Sequence, residues 1–233
     1  MSYQSHRIVV PRSARYYTLG DRAGAEEIWF VLHGYSQLAA NFLKWFEPAA
    51  RPGRLIVAPE ALSRSYFDEK EARRAGASWM TKEDRETEIE DYVRYLDLVA
   101  DDVIGTFPPE PRIEVHGFSQ GAATASRWVT YGHHAVSRLA LWGGTVPPDL
   151  DLERLRNSLR SGSILMAIGD RDQFLTPQAV RNEQARLSGI GLPAVVRNFS
   201  GGHLIDRSTL VAIRSIHWSS MGFIRSQPRC VGH

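Results

Sequence analysis

Along the chain, short apolar runs alternate with longer stretches in which apolar residues recur every three or four positions. EIWFVL at 27–32 is apolar at every position after the first, the pattern of a strand covered on both faces. RLIVA (54–58), RIEVH (112–116), RLALW (138–142), SILMAI (163–168) and AVVRNF (194–199) are strand candidates of the same kind. At the start, HRIVV (6–10) and RYYTL (15–19) flank PRSA and predict an antiparallel pair. Helices are predicted over 39–47, 86–104, 119–131, 151–159, 177–188 and 206–217. The clearest is 86–104, where Ile89, Val93, Leu96, Ala100 and Ile104 keep to one face. Thr176-Pro177 opens the fifth helix with proline at the position that needs no N–H.

Strands separated by helices imply βαβ units: an α/β fold with a mostly parallel central sheet and helices on both faces. No repeat, low-complexity tract or linker interrupts the pattern, so residues 1–226 are read as one domain and 227–233 as a C-terminal tail. The segment 61–81 is expected to be one long irregular connection, and so a candidate flap over a site.

Charge and cysteine content narrow the function classes. The 233 residues carry 28 basic and 26 acidic side chains, a net charge of +2. The basic residues are scattered, which argues against nucleic acid or an anionic membrane as the main partner. The acidic stretch EDRETEIED (83–91) suits the solvated side of a helix. Cys230 is the single cysteine, so no internal disulfide can form. No apolar window approaches the roughly 18 residues of a membrane span, and the N-terminus has no secretion-signal pattern. A cytoplasmic location is expected. No Cys/His cluster with metal-ligand spacing is present, so no metal or other cofactor is expected. The oligomeric state stays open, a homodimer among the options.

The chemistry concentrates at VHGFSQG (115–121). Gly-x-Ser-x-Gly between a strand and a helix demands a sharp turn that exposes the serine at the C-terminal edge of the sheet. Ser119 is therefore the candidate nucleophile, with Gly117 and Gly121 allowing strand and helix to approach. A serine hydroxyl needs a base. His116 lies on the strand before the turn and reads as a packed residue, His133 and His134 lie beyond the helix at the far end of the sheet and read as surface residues, and His6 and His217 have no suitable loop context. His203, in FSGGHLID after the last strand, lies at the same sheet edge as Ser119 and is the candidate base. A carboxylate must orient it. GDRDQFLTP (169–177) offers Asp170 and Asp172, and spacing alone does not choose between them. The order Ser…Asp…His is that of α/β-hydrolases. Oxyanion donors are expected from the backbone N–H of Gln120 and from the loop HGYSQ (33–37), where Tyr35 is the candidate and His33 holds the loop.

Together these pieces resemble the phospholipase/carboxylesterase family of α/β-hydrolases, which includes the acyl-protein thioesterases. The resemblance runs from LHGYSQ (32–37) through APEAL (58–62), SWM (78–80), GFSQGA (117–122) and GDRDQFLTP to GGHLID (201–206). It implies a Ser119–His203–Asp172 triad, with Asp170 bracing its loop, and Tyr35 and Gln120 as oxyanion donors. Where eukaryotic thioesterases of the family have HG-x-G-D, this chain has Ser36 and Gln37, which points to a bacterial-type esterase. Leu175 and Thr176 also depart from the family's Val-Pro. The expected function is hydrolysis of carboxylic esters, or thioesters, of small to medium acyl chains, with a small-molecule ester as partner. Tyr35, Trp79, Phe118, Phe174, Leu175 and Leu204 flank the catalytic loops or the flap and are candidates for the acyl pocket. No large lid domain fits in this length. The rival readings are a non-catalytic ligand-binding protein on this fold, and a perhydrolase or peptidase using the same triad.

Overall fold

A computed structural model of the chain describes residues 3–67, 74–105, 111–159 and 164–213. Seven strands form the main sheet: β1 (Tyr16–Leu19), β2 (Glu27–Leu32), β3 (Arg54–Pro59), β6 (Arg112–Phe118), β7 (Arg138–Trp142), β8 (Ile164–Gly169) and β9 (Ala194–Phe199). Their order is β1-β3-β2-β6-β7-β8-β9. Among the described residues of this sheet only β1, antiparallel to β3, departs from parallel pairing. Two further strands, β4 (Ser63–Tyr66) and β5 (Ala75–Ser78), pair with each other.

The helices are α1 (Ala39–Leu43), continued by a 3-10 turn over Lys44–Ala49, α2 (Arg85–Ile104), α3 (Gln120–Tyr131), α4 (Leu152–Ser158), α5 (Pro177–Ser188) and α6 (Arg207–Ile213). Strand alternation divides them between two layers. Ile28, Phe30 and Leu32 of β2 join the larger core, where Ile89, Leu96 and Val99 of α2 and Ala125, Trp128 and Val129 of α3 also pack. Trp29 and Val31 join the smaller one, with Phe42, Phe46, Leu210 and Ile213. Both faces of the sheet are thus covered, which is why β2, β3, β7 and β8 are buried at every position. Among the described residues no helix is long and apolar enough to cross a membrane.

Two sequence expectations need correction. Residues 6–10 form no strand: Ile8 and Val9 are 85% and 89% exposed, and β1 pairs with β3 instead. β-branched residues favour a strand where a pleated surface lies beside them, and none lies beside this segment. The connection 61–81 is not irregular throughout, because β4 and β5 form an antiparallel ladder from Ser63↔Ser78 to Tyr66↔Ala75. Ala77 in turn bridges to Gln37, tying the hairpin to the loop after β2. The predicted helix at 206–217 is described as far as Ile213; its remainder, His217, Cys230 and the tail 227–233 lie outside the described residues, as does position 163.

Candidate active site

Parallel strands bring their following loops to one edge of the sheet, and here those loops follow β2, β6, β7, β8 and β9. Ser119 is the residue between β6 and α3, with φ 54° and ψ −117°. That backbone region is strained for a non-glycine residue by roughly 1–3 kcal/mol, and the surroundings must hold it. The Ser119 N–H donates to Trp142 O at 2.9 Å, anchoring the turn to β7. A Cβ on Gly117 would come within 2.2 Å of Gly121 O, and one on Gly121 within 2.3 Å of Leu32 O, so neither position admits a side chain without displacing backbone.

The loop after β8 separates the two aspartates by environment. Asp170 Oδ1 accepts from the Gly201 N–H at 2.9 Å, joining the β8 and β9 loops. The Asp172 side chain is 1% exposed, and its Oδ2 lies 2.8 Å from His203 Nδ1. Its Oδ1 accepts from the N–H groups of Phe174 (2.8 Å) and Leu175 (3.3 Å), which fixes the carboxylate. The His203 ring is further held by Phe118 and Phe174, with centroids 4.8 and 4.6 Å away. Ser119 and His203 line one cleft of about 340 Å³. Among the hydrogen bonds of the described residues none joins them, as is common before a substrate tightens such a site.

The loop after β2 is built by its own side chains. His33 Nε2 accepts from the Ala61 N–H at 3.1 Å, which leaves the proton on Nδ1 to be donated to Gly34 O at 2.8 Å. Burial pulls the His33 pKa down to about 4, so the ring is neutral. Gln37 Oε1 accepts from the Gly34 N–H at 2.8 Å, and the Ser36 N–H donates to Ala77 O at 3.0 Å. The N–H groups of Tyr35 and Gln120, by contrast, donate to no acceptor among the described residues. Both are therefore available to a ligand oxygen.

Of the pocket candidates, Tyr35, Phe118, Phe174 and Leu204 line the cleft. Trp79 and Leu175 do not, which corrects the expectation for both. The Trp79 indole N–H finds the His33 carbonyl at 2.8 Å and its ring packs on His33, so it is drawn into the core. Leu175 turns toward the larger core while its N–H serves Asp172. Phe42, Trp45, Arg74 and Ile205 complete the wall. Sequence reasoning missed them, although Phe42 and Trp45 sit on the helical segment that follows HGYSQ.

Two other contributions were missed, the side chain of Gln120 and the glycine at 143. The Gln120 side chain braces the turn: its Oε1 accepts from the Trp79 N–H at 3.1 Å and its Nε2 donates to Met80 O at 2.9 Å. Gly143, at φ +56°, seats the histidine, since a Cβ there would lie 2.8 Å from His203 Cε1 and 3.3 Å from Asp172 Oδ2. His116 is in the smaller core, stacked on Trp29 at 4.3 Å, with its pKa lowered by burial.

No protein-family model matches the chain, and no curated protein matches it. Solved structures do. The Zea mays acyl-protein thioesterase 2 superposes with a TM-score of 0.65 at 18% identity, over 87% of this chain and 96% of the other. A Mesorhizobium loti carboxylesterase gives 0.66 at 20% identity over 86% and 92%, and a Bacillus cereus carboxylesterase 0.61 at 13% over the same shares. At such identities the likeness is one of fold: the chain has the α/β-hydrolase fold.

Proposed function

We propose that this protein is a serine hydrolase that cleaves carboxylic esters, or thioesters, of small to medium acyl chains. The observation that carries the reading is the 2.8 Å contact between His203 Nδ1 and the buried Asp172 carboxylate, on the wall of the cleft that also holds the strained Ser119. The esterase and thioesterase names of the fold neighbours support it.

In this reading His203 Nε2 takes the Ser119 proton as Oγ attacks the acyl carbon. The resulting oxyanion accepts hydrogen bonds from the N–H groups of Tyr35 and Gln120. His203 then passes the proton to the departing alcohol oxygen or thiol sulfur as the bond to carbon breaks. Water repeats the sequence on the acyl-serine, releasing the carboxylic acid and restoring Ser119. Asp172 holds the imidazole with Nδ1 protonated and stabilises its cation. The cleft, about 340 Å³ and walled by Phe42, Phe118 and Leu204, suits short and medium acyl groups.

The test is pre-steady-state release of nitrophenol from p-nitrophenyl acetate and butyrate, with a thioester alongside. Wild type is expected to give a burst of about one equivalent per chain, and Ser119→Ala none. Asp172→Asn should lose about 10⁴-fold in kcat, whereas Asp170→Asn should remain active. A wild type as inert as Ser119→Ala overturns the proposal.

A further inference from the structure

Away from the cleft, α2 and the turn after α3 bring four ligand-type side chains together. Asp97 and Asp101 are one helical turn apart on α2, and His133 and His134 follow the end of α3. The α3 helix of 12 residues begins at the Ser119 turn. It therefore carries its far end roughly 18 Å away, to the opposite edge of the sheet. One ligand atom from each of Asp97, His133 and His134 lies within 4.8 Å of the others. His133 Nδ1 is 3.1 Å from Asp97 Oδ2, and its Nε2 is 3.0 Å from Asp101 Oδ1. His134 Nε2 lies at 3.0 Å from the same Asp101 oxygen.

The surroundings hold Asp97 in a ligand's posture. Its Oδ1 accepts from Trp128 Nε1 at 2.8 Å and from the His133 N–H at 3.3 Å, leaving Oδ2 toward the His133 ring. Close approach depends on Gly132, where a Cβ would come within 2.6 Å of Asp97 Oδ1. A metal-bound carboxylate whose other oxygen is hydrogen-bonded, and a metal-bound histidine whose other nitrogen meets a carboxylate, are the usual outer supports of such sites. Tetrahedral zinc with ligands at about 2.0–2.2 Å needs donor atoms roughly 3.4 Å apart, so the three donors, all within 4.8 Å of one another, need to close by at most about 1.4 Å.

The geometry points to a divalent-cation site of the zinc class, with Asp97, His133 and His134 as ligands and Asp101 as the carboxylate that orients His133. Two imidazoles and a carboxylate favour zinc-like ions over magnesium or calcium, which prefer oxygen alone. An ion there would pin α2 to the α3–β7 turn. It would stabilise the fold and leave the chemistry at Ser119, on the other edge, unchanged. Spacing could not reveal this set, because its halves are some 36 positions apart (133 minus 97) and only the packing of α2 on α3 joins them.

The test uses the full chain stripped with a chelator, titrated with zinc against a chromophoric competitor, with cobalt as a spectroscopic stand-in. One zinc per chain is expected, with the visible bands of four-coordinate cobalt. Zinc at a hundredfold over Kd should raise Tm by about 5–10 °C, with ester turnover unaltered. Asp101→Asn should weaken binding 10- to 100-fold. Asp97→Asn and His134→Ala should abolish it, circular dichroism showing each variant folded. His203→Ala should bind as wild type does. Stoichiometric binding that survives in His133→Ala/His134→Ala, binding lost in His203→Ala, or no saturable binding at all would each overturn the site.

Discussion

Gly143→Ala tests whether the loop after β7 is the seat of His203. The added methyl would sit 2.8 Å from His203 Cε1 and 2.9 Å from Nδ1. Carbon atoms in contact settle at about 3.5–4.0 Å, so the ring must move by roughly 0.7 Å or more, or the loop must. The neighbours leave the ring little room, with Phe118 and Phe174 on it and Asp172 at 2.8 Å. A displacement of about 1 Å costs on the order of 100-fold in rate, so kcat/KM on p-nitrophenyl butyrate is expected to fall by about that factor. The positive φ of 56° adds a second effect, since a left-handed alanine costs about 1–2 kcal/mol. Gly24→Ala separates the two. It has the same handedness, φ +75°, but nothing within 4 Å of the new methyl. It should therefore lose similar stability in a urea melt and keep its activity. Full activity in Gly143→Ala, or equal losses of activity in both variants, would refute the seating of His203 by this loop.

Three further outcomes follow from the polar contacts. Gln120→Ala leaves the Trp79 N–H without its acceptor and the Met80 carbonyl with the Ser78 hydroxyl as its remaining side-chain donor, and urea melts should show a loss of about 1–3 kcal/mol with slower turnover. His33 is held neutral, its pKa near 4 against an ordinary 6.5, so its contribution is complete above pH 6.5 and is lost as pH falls toward 4. That loss is about 3 kcal/mol, and His33→Asn should flatten the urea midpoint across this range. At the other end of β2, burial raises the Glu27 carboxyl pKa, but its bonds to Arg112 and Arg54 outweigh that and bring it to about 2. Its contribution is therefore present above about pH 4.5 and disappears as pH falls toward 2. Glu27→Gln should remove this acid-side slope and, by leaving Arg54 buried without its charge partner, cost about 3–5 kcal/mol at neutral pH.

The parts of the fold legible in the sequence are those where burial is uniform. β2, β3, β7 and β8 are covered on both faces, so they show as continuous apolar runs whatever their neighbours. Residues 6–10 have a similar β-branched run but no strand beside it, and propensity alone cannot tell the two cases apart. The β4–β5 hairpin fails in the opposite sense: Ser, Arg, Gly and Ala give no strand pattern, yet the two segments pair and Ala77 bridges further to Gln37 in the loop after β2. The site divides in the same way. Chain order brings Ser119, the β8 loop and His203 to one sheet edge, because parallel strands allow nothing else. Which aspartate faces inward is a matter of rotamers and loop closure, where Asp172 meets His203 and Asp170 meets Gly201. Trp79 reads as a wall of the cleft because it is aromatic and lies in the candidate flap. A buried indole N–H needs an acceptor, and the His33 carbonyl turned the ring inward. Gly143 reads as the end of a strand until His203 arrives from 60 positions away (203 minus 143). What stayed hidden, then, was set by contacts between loops, each of which is invisible in either loop alone. Gly143 and the Gln120 side chain act through partners that other loops deliver, so these two roles carry no signature in a single sequence, although the Gly-x-Ser-x-Gly turn marks the Gln120 N–H as an expected oxyanion donor, and substitution at these two positions is the sharpest test of the site.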